Sequence, residues 1–135
     1  MKEYLKISLL PKDTNMYGSI FGGVIMSHLD LAGAHCARDY YTNRFVTKFI
    51  HEMSFLHPVY VGDLVVYNAG IVKVGHTSVT VHVQAEAERL GTKELQRVTE
   101  ARLVYVAVDE QGRKTPLVSR ESVPPPRHPD AADPC

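Results

Sequence analysis

Hydrophobic and polar residues alternate at two different periods along the chain, and the change of period divides it into predicted elements. Residues 3–10 alternate like a short strand, and residues 11–18 are rich in the Pro, Asp, Asn and Gly typical of a loop. From Gly22 to about Tyr41, apolar residues recur at steps of three and four, the spacing of an amphipathic helix. The pattern therefore predicts one long helix of about twenty residues.

Gly33 lies in the middle of this predicted helix, where glycine is an unusual residue. Glycine in a helix interior costs about 1 kcal/mol relative to alanine, so its presence indicates a packing requirement. We expect another backbone to approach the helix closely at this position, as it would if a sheet wrapped around the helix.

Beyond residue 43 the period shortens to two, which is typical of strands. The first run extends from Arg44 to Leu56, and Pro58 closes it because proline cannot donate to a sheet ladder. Three more runs follow, at residues 63–74, 77–88 and 97–108. A tight turn at Gly75 and His76 joins the first two of these, and residues 89–93 make the next connection.

The predicted order is a strand, one long helix and four long antiparallel strands, which is an α+β arrangement. A five-stranded sheet with a single helix must cover one of its faces with that helix. A sheet of this size in a single chain would leave long exposed edges. We therefore expect two chains to pair and extend the sheet.

The end of the chain has a different composition. Five of the eight prolines lie in its last twelve residues, which neither a packed strand nor a helix accommodates. We predict one domain over residues 1–118 and a disordered, proline-rich tail over residues 119–135.

Composition and charge exclude several classes of function. The 135 residues suit one domain, and 15 Lys and Arg balance 15 Asp and Glu. Such a chain lacks the basic surface of proteins that bind nucleic acids or anionic membranes. No apolar run approaches the length of a membrane span, and residues 1–10 lack the apolar core of a secretory signal. We expect a cytoplasmic protein without nucleic-acid or membrane partners.

The cysteines and histidines do not form a recognisable site. Cys36 falls inside the predicted helix and Cys135 ends the predicted tail, so we expect two free thiols rather than a disulfide. His28 and His35 are seven residues apart without a third partner, and no two histidines have a metal-binding spacing. We expect no metal.

Candidate chemistry lies at the start and on one side of the predicted helix. Gly22 and Gly23 would present unpaired N–H groups at the positive helix end, where they could stabilise a developing oxyanion; a simple turn is the alternative. Asp30 lies beside the apolar stripe, where an ionised carboxylate needs a partner or a function, unless it faces solvent. Gly22 and Asp30 are about 12 Å apart along the helix, so a shared site would require two subunits.

Several motifs, taken in order, resemble those of one enzyme family. They lie at residues 15–34, 46–47, 53–55, 58–63, 75–79 and 99–109. Over about residues 4–117 the chain resembles the hotdog-fold acyl-CoA thioesterases of the cytosolic acyl-CoA hydrolase type. The resemblance implies a five-stranded antiparallel sheet wrapped around one long central helix, paired into a double-hotdog dimer. It also implies a homo-oligomer of such dimers, a tetramer or a hexamer.

The resemblance also implies roles for individual residues. Asp30 occupies the position of the family's general base or nucleophile, Asn15 that of an asparagine assisting from the other subunit, and Gly22 that of an oxyanion donor. The implied contacts with substrate or coenzyme A are Phe21, Gly23, Thr47, Gly75, His76, Thr77 and Ser78. For Thr77 and Ser78, ordinary chemistry at the start of a strand is the alternative. His51 departs from the family, whose members usually carry an acidic residue there.

The expected function is hydrolysis of an acyl-CoA thioester to a free acid and coenzyme A, without a cofactor. Coenzyme A belongs to the substrate and the product. A hotdog dehydratase or hydratase is one alternative, although His28 and His35 lack an obvious partner for attack at carbon. A non-catalytic acyl-CoA-binding protein of the same fold is the other alternative. The acyl chain length stays open.

Overall fold

The elements of the fold follow the predicted order. A computed structural model describes residues 1–120, so the predicted tail lies outside the described residues from position 121 onward. The elements are β1 (Lys2–Ser8), a short 3-10 turn (Pro11–Asp13), α1 (Gly22–Tyr40), β2 (Arg44–Phe55), β3 (Leu64–Val74), β4 (Ser78–Glu88) and β5 (Leu95–Val108). All the predicted strand and helix limits lie within two residues of these bounds.

The five strands form one antiparallel sheet in the order β1-β3-β4-β5-β2, and α1 contacts every strand of it. The predicted hotdog arrangement, a sheet wrapped around a single helix, is confirmed. The apolar stripe of α1 faces the sheet, and its four predicted members, Ile25, Leu29, Ala32 and Cys36, are all buried. On β4 the alternation has the expected effect, because Val79, Val81, Val83, Ala85 and Ala87 are completely buried.

The helix packs very close to the sheet at Gly33. A Cβ atom on Gly33 would lie 2.3 Å from the hydroxyl oxygen of Tyr105 on β5, a distance that no side chain tolerates. The predicted close approach is therefore real, but the expectation of a backbone neighbour was wrong. The neighbour is a buried tyrosine side chain, which needs the space that glycine leaves open.

The edge strand β2 carries apolar side chains that the chain leaves exposed. Val46, Phe49, Ile50 and Phe55 are all exposed, and so are Met26 and Leu31 on the neighbouring helix. An apolar edge strand is open to pairing with a second strand, and contiguous exposed apolar surface is typical of an interface. The surface that would serve the predicted pairing of two chains therefore runs along β2 and the exposed side of α1.

A buried ion pair holds the loop before β3 against the connection between β4 and β5. The buried carboxylate of Asp63 accepts the Tyr60 N–H at 2.9 Å and binds the guanidinium of Arg89. Arg89 also donates to the carbonyl oxygen of Pro58 at 3.1 Å and to the side chain of Gln96. One guanidinium thus joins the loop before β3 to the start of β5.

The last described residues bind the C-terminal end of α1. Arg120 donates its main-chain N–H to the Tyr40 carbonyl at 3.0 Å and its Nε–H to the Arg38 carbonyl at 2.6 Å. Ser119 forms an isolated bridge with Tyr41. These bonds satisfy helix-end carbonyls and extend the ordered contacts two residues past the predicted domain limit. Among residues 1–120, no helix is both long and apolar enough to cross a lipid bilayer.

Replacing Asp63 should destabilise the fold strongly. Asp63→Ala would leave the largely buried Arg89 guanidinium without its counter-ion, at a cost of about 3 kcal/mol in the free energy of unfolding. Urea denaturation at a fixed protein concentration measures the change. Lys2→Ala is the control, because its ammonium pairs with Asp39 in solvent and should contribute little. Equal stability of the two variants would contradict this role of the buried pair.

Candidate active site

Asp30 is held at one oxygen and open at the other. It is half-buried on the side of α1 that faces β2 and β5. Its Oδ1 accepts a hydrogen bond from the Thr47 hydroxyl at 2.7 Å and lies 3.1 Å from the Tyr105 hydroxyl. Within residues 1–120, Oδ2 has no hydrogen-bond partner. Asp30 is therefore not a freely solvated surface residue, and one carboxylate oxygen stays available for chemistry.

Asp30 lines a cleft of about 390 Å³ beside the helix. The residues around it are Ser27, His28, Asp30, Leu31, Ala34, Phe45, Thr47 and Tyr105. Apolar walls with a few polar groups are typical of a site for a small organic ligand. The cleft suits an apolar group whose reactive atom lies next to a carboxylate.

The N-terminus of α1 presents unsatisfied donors. No side chain caps this end, and in the described part of the chain the N–H groups of Gly22 and Gly23 have no hydrogen-bond partner. Phe21, the N-cap residue, is exposed and donates its own N–H to the Asp13 carbonyl at 2.8 Å. Free N–H groups at the positive end of a 19-residue helix attract a partly negative oxygen.

Gly22 and Asp30 open into different cavities of the same chain. Gly22 lines a smaller cavity of about 180 Å³, whose other walls include Ile25, Phe55 and Thr99. None of the residues that line this cavity also lines the Asp30 cleft. The separation agrees with the axial distance of about 12 Å expected for eight helical residues. One chain does not bring the two groups to a single carbonyl.

Asn15 organises its own loop. Its Oδ1 accepts the N–H groups of Tyr17 at 2.8 Å and Ser19 at 3.3 Å, and its Nδ2 donates to the Ser19 hydroxyl at 2.9 Å. One hydrogen of Nδ2 remains for another acceptor. The structure shows no contact between Asn15 and Asp30 within the described chain, so an interaction between them would again need a second subunit.

The four predicted coenzyme A contacts at the turn between β3 and β4 differ in their exposure to solvent. His76 is exposed, and Gly75 and Thr77 are half-buried. Ser78 is completely buried, and its hydroxyl has no partner among the described residues. Ser78 starts the buried part of β4, and its hydroxyl does not reach the surface of the single chain, so the coenzyme A contact through Ser78 stays a prediction. The alternative of ordinary strand-start chemistry fits Ser78.

Two other predicted contacts, Gly23 and Thr47, lie on α1 and β2, and β2 also carries His51. Gly23 lies next to the Phe21 ring, whose atoms would be 3.4 Å from a Cβ. Thr47 is exposed on β2, but its hydroxyl binds Asp30, so it positions the carboxylate as well as facing the cleft. His51, the departure from the family, is exposed on β2 opposite Arg102.

Sequence reasoning missed Tyr105, the second hydroxyl beside Asp30. This residue is almost completely buried, and burial and the Asp30 carboxylate both raise the pKa of its phenol. It stays protonated at neutral pH and acts as a hydrogen-bond donor. Two signals pointed to it: Gly33 demanded a close neighbour, and position 105 falls on the inward face of the last strand.

The histidine of the cleft has a different partner from Asp30. His28 Nδ1 lies 3.2 Å from the Tyr67 hydroxyl on β3, and burial lowers the pKa of its imidazole. No group of three or more His, Cys, Asp or Glu side chains within residues 1–120 is arranged to hold a metal ion.

Comparison with known proteins adds a family context. A profile of the Thioesterase superfamily matches residues 17–93. The acyl-CoA thioester hydrolase YciA of Salmonella typhimurium is 39% identical over 116 residues, which cover 84% of this chain and 87% of the relative. The residues that the profile matches contain α1, the loop residues just before it and strands β2 to β4.

Two solved structures share the fold. A hexameric hotdog fold thioesterase of Campylobacter jejuni is 40% identical, with a TM-score of 0.83 over 87% of this chain and 91% of that one. The hexameric thioesterase y2039 of Yersinia pestis is 39% identical, also with a TM-score of 0.83, over 87% and 96% of the two chains. The agreement in fold therefore extends over most of this chain.

Adding a methyl group at Gly33 should disturb Tyr105. Gly33→Ala places a carbon 2.3 Å from the Tyr105 hydroxyl oxygen and 3.0 Å from Cζ, so the phenol must move. We expect a loss of about 1–3 kcal/mol in the free energy of unfolding, measured in urea. Tyr105→Phe in the same chain removes the shortest contact and should restore part of that stability.

The control for this substitution is Gly23→Ala on the same helix. Its Cβ would meet only the exposed Phe21 ring at 3.4 Å and should not destabilise the protein. A Gly33→Ala variant as stable as Gly23→Ala would contradict the close packing described at Tyr105.

Proposed function

The chain belongs to the thioesterase superfamily, and from this membership we propose that it hydrolyses acyl-CoA thioesters to a free carboxylic acid and coenzyme A. The observation that carries the proposal is Asp30, whose Oδ1 is held by Thr47 while Oδ2 is open to a largely apolar cleft. The name of the Salmonella relative, an acyl-CoA thioester hydrolase, supports the choice of substrate.

In the proposed reaction, Asp30 is the catalytic residue and Gly22 stabilises the transition state. The thioester carbonyl accepts the Gly22 N–H, which stabilises the oxyanion that forms when the carbon is attacked. As a general base, Asp30 takes a proton from water, and the resulting hydroxide attacks the carbonyl carbon. The C–S bond then breaks, and the coenzyme A thiolate receives the proton from Asp30.

As a nucleophile, Asp30 would instead attack the carbonyl carbon itself. Coenzyme A would leave as the thiolate, and an acyl-aspartyl anhydride would remain until water hydrolysed it. Both routes need an ionised carboxylate with one accessible oxygen, and neither needs a cofactor. Thr47 positions the carboxylate in both routes.

We further propose that the complete site forms between two chains. Because Gly22 and Asp30 line separate cavities of one chain, the two can meet only if the donor comes from one subunit and the carboxylate from the other. The exposed apolar edge at β2 supplies a surface for this pairing, as in a double-hotdog dimer. The hexameric relatives support a trimer of such dimers.

The coenzyme A moiety is proposed to lie on the turn at residues 75–77. The exposed His76 and the half-buried Thr77 offer polar donors to phosphate or pantetheine groups there. Phe21 and Gly23 would contact the substrate beside the helix N-terminus. Asn15, as a loop residue with one free Nδ2 hydrogen, would assist from the subunit that supplies Gly22.

Removing the Asp30 carboxylate tests the proposed activity. Thiol release from acyl-CoAs of short to long chain should fall by about 10²–10⁴-fold in Asp30→Asn. The control Asp39→Asn, on the same helix but paired with Lys2 and Tyr4, should retain activity. A folded Asp30→Asn variant with full activity would exclude the mechanism.

The same assay separates the alternative functions. Tight acyl-CoA binding without turnover would indicate a binding protein, and hydration of an enoyl-CoA without thiol release would indicate a hydratase. Single-turnover hydrolysis in oxygen-18 water then distinguishes the two roles of Asp30. Label in the aspartate itself would exclude the simple general-base route.

The Gly22 donor can be deleted without breaking the helix. Gly22→Pro removes the N–H at the first helical position, where proline is tolerated, and Phe21 already has the extended conformation that precedes proline. We expect kcat to fall by about 10²–10³-fold. Gly22→Ala keeps the N–H and places its Cβ at an ordinary 3.6 Å from Phe55, so most activity should remain. Equal kcat values would contradict the oxyanion role.

Mixing two inactive variants tests the shared site. Random reassociation of Gly22→Pro and Asp30→Asn chains makes half the dimers mixed, and each mixed dimer has one intact site of two. Activity should therefore recover to about a quarter of the wild-type value. No recovery, despite mixed dimers shown by native mass spectrometry, would contradict a site formed between two subunits.

A further inference from the structure

The Tyr105 hydroxyl has one hydrogen and two possible acceptors on the same residue. Its oxygen lies 2.7 Å from the main-chain oxygen of Asp30 and 3.1 Å from Asp30 Oδ1. The phenol is almost completely buried, and its pKa is raised by burial and by the nearby carboxylate. It therefore stays protonated over the working range of pH, and only the direction of its hydrogen can change.

That direction depends on the charge of Asp30. An ionised carboxylate attracts the hydrogen toward Oδ1, because hydrogen bonds to charged acceptors are stronger than those to neutral ones. A hydroxyl directed at Oδ1 fixes that oxygen toward the interior of the protein.

We propose that Tyr105 is a positioning residue for the Asp30 carboxylate, which it fixes through Oδ1, so that Oδ2 is the oxygen that reacts. This inference rests on the proposed thioesterase function. It assigns different roles to the two oxygens of Asp30. Thr47 secures Oδ1 from the exposed side of the cleft, and Tyr105 secures it from the interior.

Gly33 allows the Tyr105 hydroxyl to reach Asp30. A Cβ at this position would lie 2.3 Å from the hydroxyl oxygen, so any residue except glycine would displace the phenol from Asp30. The glycine in the middle of α1 therefore has a functional consequence besides its packing role. Glycine at this position lowers helix propensity by about 1 kcal/mol relative to alanine, and in return it leaves room for the Tyr105 hydroxyl beside Asp30.

Few other titratable groups surround Asp30. His28 lines the same cleft from α1, its Nδ1 faces Tyr67 on β3, and burial lowers its pKa. Cys36 is within electrostatic range of Tyr105, and burial raises the pKa of its thiol to about 11. Both groups are thus neutral at the pH where the enzyme would work, and Thr47 on β2 does not titrate.

Tyr105→Phe keeps the ring and removes only the hydroxyl. With one donor to Oδ1 lost, kcat should fall by about tenfold with little change in KM, because Oδ2 is less well placed. Steady-state thiol release over a range of acyl-CoA concentrations measures both constants.

The control is Tyr4→Phe. Tyr4 also donates its hydroxyl to a carboxylate of α1, Asp39 Oδ2 at 2.7 Å, but at the other end of the helix. Its removal should leave kcat and KM unchanged. Urea denaturation of both variants shows how much of any change comes from stability, which does not by itself lower kcat at constant KM.

A second substitution tests the role of the hydroxyl and does not depend on the folding of Tyr105→Phe. Fluorotyrosine at position 105, introduced by codon suppression, keeps the hydroxyl as a donor to Oδ1, so kcat should stay close to the wild-type value. A tenfold loss of kcat in this variant, or an unchanged kcat in Tyr105→Phe while Asp30→Asn is inactive, would overturn the role of Tyr105 alone. Absence of thioesterase activity in the unaltered protein would instead overturn the proposed function.

Discussion

The close packing of α1 into the sheet is the constraint on which the rest of the structure depends. The apolar stripe of the helix is buried in one core with side chains of the sheet, most of them Val and Ala, with Tyr67 and Tyr105 as the largest. At Gly33 the approach is so close that only glycine leaves room for the Tyr105 hydroxyl. Because the helix cannot rotate or slide without a clash at that point, the directions of its other side chains are set.

The candidate site follows from that fixed orientation. Leu29 faces the core, so the next residue, Asp30, emerges at the flank of the helix, between the hydroxyls of β2 and β5. The N-terminus of the same helix ends without a side-chain cap and opens at another cavity. One chain thus carries the proposed oxyanion donor and the proposed catalytic carboxylate about 12 Å apart along the helix, which is the reason for proposing a site that a second chain completes.

The elements were predictable from the sequence because each has a long, regular period. The stripe at Ile25, Leu29, Ala32 and Cys36 is typical of a helix, and the alternation through residues 77–88 is typical of a strand. The polar face of that strand is drier than the alternation predicts, because Thr80 is buried as well as Ser78. Gly22 and Asp30 were also accessible from the sequence, since a glycine pair before a helix and a carboxylate beside an apolar stripe are local features. The burial of Ser78 was not, because it depends on where β4 enters the core.

What the sequence alone determined, then, is the order and type of the elements, the apolar face of each, and the helix residues that could carry chemistry. These depend on neighbours three or four residues apart, or two apart in a strand. The tertiary structure alone decided which groups meet Asp30, since Thr47 and Tyr105 are 17 and 75 residues away in sequence. It also showed that Gly33 accommodates a side chain rather than a backbone, and that Asn15 serves its own loop. The physical reason is that hydrogen bonds across a sheet depend on register and on the depth of the helix, which no local pattern records.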